Sequence, residues 1–435
     1  MLRRLARAAA QQQGALWARG SGSQAGIPTH VVDLRSDTVT KPGPAMRRAM
    51  AEAVVGEDYD YGEDPTVREL QATAAELLRV ERTLFVSTNT MANLISVMCL
   101  CQRRGSLLLL GQACHLHIQE QGRVTQIAGV HSHPLPDLPH GTLDLAELEG
   151  LVARSLGSRS HPVCELICLE DAHSSSGGWV LPIECLCQVH LLVRSYGVQL
   201  HLDGARLMNA AVALCVPPAR IVEPCGSVSL CFSKGLGALV GDLVGGPKDF
   251  TEEAWCLRKA LGGGMRQEWV LAAAALVGLT DAEEVLLKDH QNAQRFARDS
   301  LFSSHYGWAV LCLSWGDTAG VVGIVVGYWG QALLTTGPGL RAPGSGIPVC
   351  SVDLTTVETN VVKVRVGGRP PEELCQRLQT VRADEVAQAG HAVRVPLFPW
   401  TERSVRAVWH DDVSAQDTEL ALGKWAFVLR ALRMG

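Results

Sequence analysis

The 435-residue sequence contains no Cys-x-x-Cys pair, no acidic residue before Asp33, no excess of basic charge and no apolar run long enough to span a membrane. Without Cys-x-x-Cys spacing, and with Cys99/Cys101 and Cys185/Cys187 too close for ordinary zinc ligation, no structural metal is expected. A formal net charge of −5 gives no electrostatic reason to expect nucleic acid. Fourteen cysteines without a secretory hydrophobic region read as reduced, scattered thiols, not as a disulfide framework. The most apolar stretch, Ala319 to Leu334, has 16 residues. That is short of the ~20 that a bilayer span needs, so no membrane contact is expected.

The acid-free start is informative in its own right. Arg3, Arg4, Arg7 and Arg19, interleaved with Leu2, Leu5 and alanines, make residues 1–28 resemble a mitochondrial transit segment. The expected location is the mitochondrial matrix, or the cytosol if the tail carries no signal. The whole chain is 47% apolar and 19% charged, a globular composition, and it is long enough for a large domain and a smaller one. The expected division is 31–300 for the large domain, 304–350 for an anomalous stretch, and 351–435 for a small C-terminal domain.

Two segments carry chemistry. Val228 to Phe232 reads as a short buried strand that runs into Ser233-Lys234, with Gly235, Gly237 and Gly241 behind it. A lysine at a strand end, relieved of neighbouring bulk by glycines, can have its amine buried and so held nucleophilic. That is what a lysine carrying pyridoxal phosphate needs. Taken alone, an exposed lysine in a glycine-rich turn has the same spacing. Upstream, Val198, Leu200 and Leu202 alternate with Gln199, His201 and Asp203, a strand pattern that leaves Asp203 at the carboxyl end. Open α/β sheets bind ligands at that end, and a carboxylate there can keep a pyridine nitrogen protonated.

At this point the chain resembles the low-specificity L-threonine aldolases, pyridoxal-phosphate enzymes of fold type I. The matching stretches are Leu34 to Thr40, Tyr61 to Thr66, Thr90 to Asn93, His201 to Arg206, Ser233 to Gly237 and Gly262 to Gln267. They occur in family order and cover roughly residues 31–300 and 355–430. The resemblance implies an α/β fold: a mostly parallel seven-stranded sheet flanked by helices, plus a small α+β C-terminal domain. It also implies a homotetramer with sites at dimer interfaces.

The resemblance implies residue roles as well. Lys234 carries the cofactor, and Asp203 faces its ring nitrogen. His115 covers the ring and exchanges protons, with Glu120 beside it. Asn89 and Thr90, at a helix start, hold the phosphate with Arg266. Ser36, Arg206 and Arg406 take the substrate carboxylate, with Arg403 as a substitute for Arg406, and Arg206 also suits the cofactor's phenolate oxygen. His161 acts on the substrate hydroxyl. The implied reaction is L-threonine or L-allo-threonine to glycine and acetaldehyde. Asn89, Asp171, Ser174 and Trp269 depart from the family pattern, as does the stretch 304–350, whose interior holds only Asp317 and Arg341 as charges. That stretch reads as an insertion, from non-coding sequence or an alternative transcript, expected to lack stable structure. These departures keep two alternatives open: β-elimination on the same scaffold, or a non-catalytic binding or assembly subunit.

Overall fold

The computed structural model describes residues 29–434, apart from 55, 57–61, 158–159, 305–307, 314–321, 328–331 and 337–348. Residues 1–28, read as a transit segment, therefore lie outside the described residues.

Short apolar runs form the central sheet: β1 (Arg82–Val86), β2 (Leu107–Gly111), β3 (His131–Leu135), β4 (Cys164–Glu170), β5 (Gln199–Gly204), β6 (Ser227–Cys231) and β7 (Asp242–Gly246). Their order is β1-β7-β6-β5-β4-β2-β3. The five strands from β6 to β3 run parallel. Strand β7 is antiparallel to both β6 and β1. β2, β6 and β7 are buried at every position, which is why they read as continuous apolar or small-residue runs and not as alternation. The helices covering them include α1 (Pro65–Leu78), α2 (Asn89–Leu100) and α3 (Trp269–Thr280). The expected mostly parallel seven-stranded sheet is present.

A second core gathers in the C-terminal region, around β8 (Cys350–Val352), β9 (Val361–Val366), β10 (Phe398–Thr401) and β11 (Ser404–Val408), an antiparallel sheet ordered β8-β9-β11-β10. Helix α4 (Ala282–Ser304) brings Phe296 into it, 5.0 Å from the Trp409 ring and 5.3 Å from the Trp425 ring. Val32 and Leu34 join the same core, and Thr29–Val31 pairs in parallel with Ala392–Arg394. The boundary near residue 300 thus falls within a continuous helix. The segment at 29–34 packs on the small domain before it crosses to the large one.

Two further expectations change. The sequence over Pro371 to Ala389 predicts one helix; the structure has two, Pro371–Gln379 and Ala383–Ala389. Thr380 turns to extended backbone, and its hydroxyl returns to the Gln376 carbonyl at 2.8 Å. Its own carbonyl accepts from the buried Lys424 amine at 2.6 Å, a tertiary bond that periodicity does not register. Within 304–350, expected to lack structure, Trp308–Leu313, Val322–Gly327 and Ala332–Thr336 pair as a separate three-stranded antiparallel sheet. Aliphatic and β-branched runs between glycines suffice to form strands without helical periodicity.

Candidate active site

The sheet register lines up the first polar groups. Glu170 pairs with Asp203, and Asp203 with Ser229, so the ends of β4, β5 and β6 present a row of polar side chains. Asp203 is buried. Its Oδ2 accepts a 2.8 Å bond from Asn93 Nδ2. Its Oδ1 has only longer contacts: the Ala205 amide at 3.2 Å, the Asn89 amide at 3.4 Å and the Ser229 hydroxyl at 3.5 Å.

Lys234 stands in the loop that joins β6 to β7. β6 ends at Cys231, so the lysine lies three residues beyond it and is half-buried, not enclosed as the sequence suggested. No hydrogen bond or salt bridge engages it among the described residues, while its charge is felt by Asp37, His115, Cys231 and Asp242. The glycine behind it is required. A Cβ on Gly235 would lie 2.7 Å from Leu286 and 3.0 Å from the Asn209 side chain.

His115 follows β2 on a short turn of helix. Its amide donates to Glu170 at 2.7 Å, and its Nδ1 lies 3.1 Å from Glu120. Burial alone would lower the imidazole pKa. The Glu120 bond and the charge of Asp203 outweigh that burial and the opposing charge of Lys234, and raise it. Glu120 also accepts from Asn93, at 3.1 Å, so one asparagine ties the histidine's carboxylate to Asp203.

The third group is cationic. Arg206 is buried, and its Nε and Nη2 each donate at 2.7 Å to Asp37. The resemblance implies a substrate carboxylate for this fork; Asp37 takes both donors because the N-terminal segment crosses here. Burial alone would raise the Asp37 carboxyl, but the charge and bonds of Arg206, with Lys234 and Arg406 beyond, hold it at about 2. Ser36 caps the short helix Asp37–Val39 and accepts from the Thr38 amide.

Arg406, on β11, is buried without a carboxylate partner among the described residues. Its Nη1 donates to the Ser174 hydroxyl at 3.1 Å, its Cζ lies 3.9 Å over the Trp400 ring, and its Nε has no partner. Burial, then the nearby Arg206, lowers its pKa to about 10. A desolvated guanidinium with unused donors is a receptor for a carboxylate. Arg403 is exposed and does not compete.

Helix α2 opens beside these groups. Thr88 caps it by accepting from the Met91 amide at 3.1 Å, leaving the first amides of Asn89 and Thr90 at an anion-attracting end. The loop carrying Arg266 closes against this turn, where a Cβ on Gly263 would meet the Met91 sulfur at 2.3 Å; Arg266 itself is exposed. His161 is not brought to the cluster. It is exposed on the turn before β4, at the amino end of the strand whose carboxyl end is Glu170. His173 is buried at the carboxyl end, with its Nδ1 2.7 Å from the Ser176 hydroxyl. Sequence reasoning missed Asp37, Asn93, Trp400 and Asp242 as members of the site. Asp37, in the run Leu34 to Thr40, and Asn93, which closes the run Thr90 to Asn93, stood in matched stretches; Trp400 and Asp242 carried no signal.

The donor set suits pyridoxal phosphate. An uncommitted amine, a buried carboxylate with an under-bonded oxygen and a helix N-terminus stand at one edge of the sheet. Asn89 turns its side chain toward Asp203 and Ser229 without disturbing the helix start. A cavity of about 420 Å³, lined by Arg82, Thr83, Trp255 and Cys256 among others, lies at the amino end of β1, and its arginine is already paired with Glu252. It offers no convergent reactive groups.

Residues 33–302 match the Beta-eliminating lyase family. The "Probable low-specificity L-threonine aldolase 2" of Arabidopsis thaliana is 38% identical over 394 residues, 90% of this chain and 95% of that relative. "Low-specificity L-threonine aldolase 1" of the same plant is 47% identical over 266 residues, 61% of this chain and 74% of the relative. Among solved structures, the Leishmania major threonine aldolase superposes with a TM-score of 0.64 at 16% identity, covering 93% of this chain and 99% of that chain. A structure described as SPT with PLP superposes with a TM-score of 0.63 at 14% identity, with all of both chains covered. The two structural likenesses place the chain in fold type I.

Proposed function

The chain belongs to the beta-eliminating lyase family, among the low-specificity L-threonine aldolases, and from that premise we propose that it cleaves L-threonine and L-allo-threonine to glycine and acetaldehyde with pyridoxal phosphate. The observation that carries this reading is the convergence of an unpartnered Lys234, buried Asp203 and an unspent Arg406. Lys234 would hold the cofactor, Asp203 its ring nitrogen, and the α2 start with Arg266 its phosphate. The cofactor, when bound, supplies an electron sink for the pair released at the substrate's Cα.

The chain's own groups do the rest. Arg406 pairs with the substrate carboxylate, held in place by Ser174 and Trp400. Ser36 contributes a hydroxyl beside it, on the turn anchored by the Asp37–Arg206 pair. Fixing the carboxylate orients the Cα–Cβ bond for cleavage. His115 takes the β-hydroxyl proton as the carbonyl of acetaldehyde forms, with Glu120 steadying the resulting charge. A proton returned to Cα completes glycine. A site that grips the carboxylate firmly and the hydroxyl through one histidine accepts both β-epimers.

Assembly as a homotetramer is part of the same proposal and rests on the family resemblance. The arginine-rich, acid-free residues 1–28 support delivery to the mitochondrial matrix, where the reaction would supply glycine. The test is incubation with L-threonine while acetaldehyde is followed by a coupled reductase, with Lys234→Ala alongside. Borohydride reduction and peptide mapping should place a pyridoxyl tag on Lys234. A keto acid and ammonia in place of acetaldehyde would assign β-elimination instead, and a tag elsewhere would end the proposal.

A further inference from the structure

Glu170 is a buried carboxylate that the reaction above does not use. It closes β4, and its two oxygens are spent on two different segments. Oε2 accepts from the His115 amide at 2.7 Å, and Oε1 accepts from the Ser174 amide at 2.9 Å. His115 opens a turn of helix that has no side-chain cap, so Glu170 takes an amide that the turn itself leaves over. Ser174 stands in the loop after β4, and its hydroxyl accepts from Arg406 Nη1 at 3.1 Å.

These bonds form one line: the His115 amide, the Glu170 carboxylate, Ser174 and the Arg406 guanidinium. The line crosses from the end of β4 in the large domain to β11 in the small one. Farther along the same loop, the Gly178 carbonyl accepts from the Thr359 hydroxyl and the Val180 amide donates to Glu358, both at 2.8 Å. The loop is therefore fastened to the small domain at its far end and to the large domain at Glu170. Backbone amides only donate, so joining two of them takes a group with two acceptors and no donor. An ionised carboxylate is such a group; a glutamine amide offers one acceptor and one donor group.

We propose that Glu170 is a positioning residue that fixes the spacing between His115 and Arg406, so that the base and the carboxylate receptor meet one substrate at once. Cleavage needs the substrate held at both ends, its carboxylate on Arg406 and its β-hydroxyl at His115. Holding a carboxylate alone needs only Arg406, which keeps Ser174 and Trp400 when Glu170 is altered. Loosening Glu170 therefore separates the two tasks, and a misplacement of the order of 1 Å is enough to slow the reaction. The inference rests on the threonine-cleavage reading.

The full chain loaded with pyridoxal phosphate is assayed with L-threonine and L-allo-threonine, and the same protein is titrated with labelled glycine by equilibrium dialysis. Glycine carries the carboxylate and lacks the hydroxyl. Glu170→Gln keeps the side-chain volume and can serve only one of the two amides, so kcat should fall about 10- to 100-fold on both epimers. The glycine Kd should stay within about threefold of wild type, and borohydride tagging of Lys234 should match it. Glu170→Asp keeps both acceptors on a shorter arm and should lose kcat in the same selective way. Unchanged kcat in a folded variant, or a loss of glycine affinity that matches the loss of kcat, overturns the proposal. So does failure of both variants to fold, which would place Glu170 in the scaffold alone. A wild-type chain that binds glycine and releases no acetaldehyde would defeat the cleavage reading itself, a result distinct from any change between wild type and variant.

Discussion

Asp37→Asn should weaken the fold by about 3–5 kcal/mol at neutral pH, the usual cost of leaving one member of a buried ion pair uncompensated. Asp37 is fully buried, and both of its oxygens receive Arg206 at 2.7 Å. The asparagine keeps the shape and loses the charge, leaving a buried guanidinium beside Arg406. A second route to the magnitude uses titration. The carboxyl stands at about 2 in the fold and ~3.9 unfolded, a difference of roughly 2 units or about 2.6 kcal/mol. The second figure is smaller because protonating Asp37 leaves a group that can still accept hydrogen bonds from Arg206. The sign follows from the depressed value. The stabilisation is fully present above about pH 4 and is lost as pH falls toward 2. Urea midpoints of wild type and variant should therefore differ most at pH 7 and converge as pH falls to about 2. The double variant Asp37→Asn, Arg206→Gln should lose less than the sum of the singles. A difference under about 0.5 kcal/mol at pH 7, or one that widens on acidification, would refute the reasoning.

Arg406→Leu should raise KM for L-threonine by roughly 100-fold or more, the worth of two charge-assisted hydrogen bonds, and abolish the preference for L-threonine over its methyl ester; an unchanged preference counts against the clamp. For His115, whose pKa lies above its ordinary value, the base form is lost as pH falls, so the acid limb of kcat/KM should sit above pH ~6.5. Glu120→Gln removes the first of the raising influences and should move that limb downward; a limb that stays in place excludes His115 as the base.

Strand-forming runs and the places of Asp203 and Lys234 at or just past strand ends were legible because both patterns are local. Alternation over Val198 to Asp203 and glycines after Lys234 are written in consecutive residues, and β5 and the β6–β7 loop follow them. The helix 371–389 was misread because its break is tertiary. Lys424 reaches Thr380 from 44 residues away, and nothing in the local periodicity announces it. His161 stands just before the amino end of β4, and one strand length separates the two ends of β4, on the order of 20 Å for seven residues.

The charge network was illegible for a further reason. Arg206 looks identical in sequence whether its fork meets a substrate or a protein carboxylate. What decides is the course of the chain at 29–39, which packs first on the small domain through Val32 and Leu34 and then delivers Asp37 to the large one. Once Asp37 takes two donors of Arg206, Arg406 is the arginine left with an unpartnered Nε, its guanidinium resting on Trp400. Two arginines that the sequence ranks alike are therefore distinguished by geometry: Arg206 is committed to Asp37, and Arg406 keeps the unused donors on which its proposed carboxylate-binding role rests.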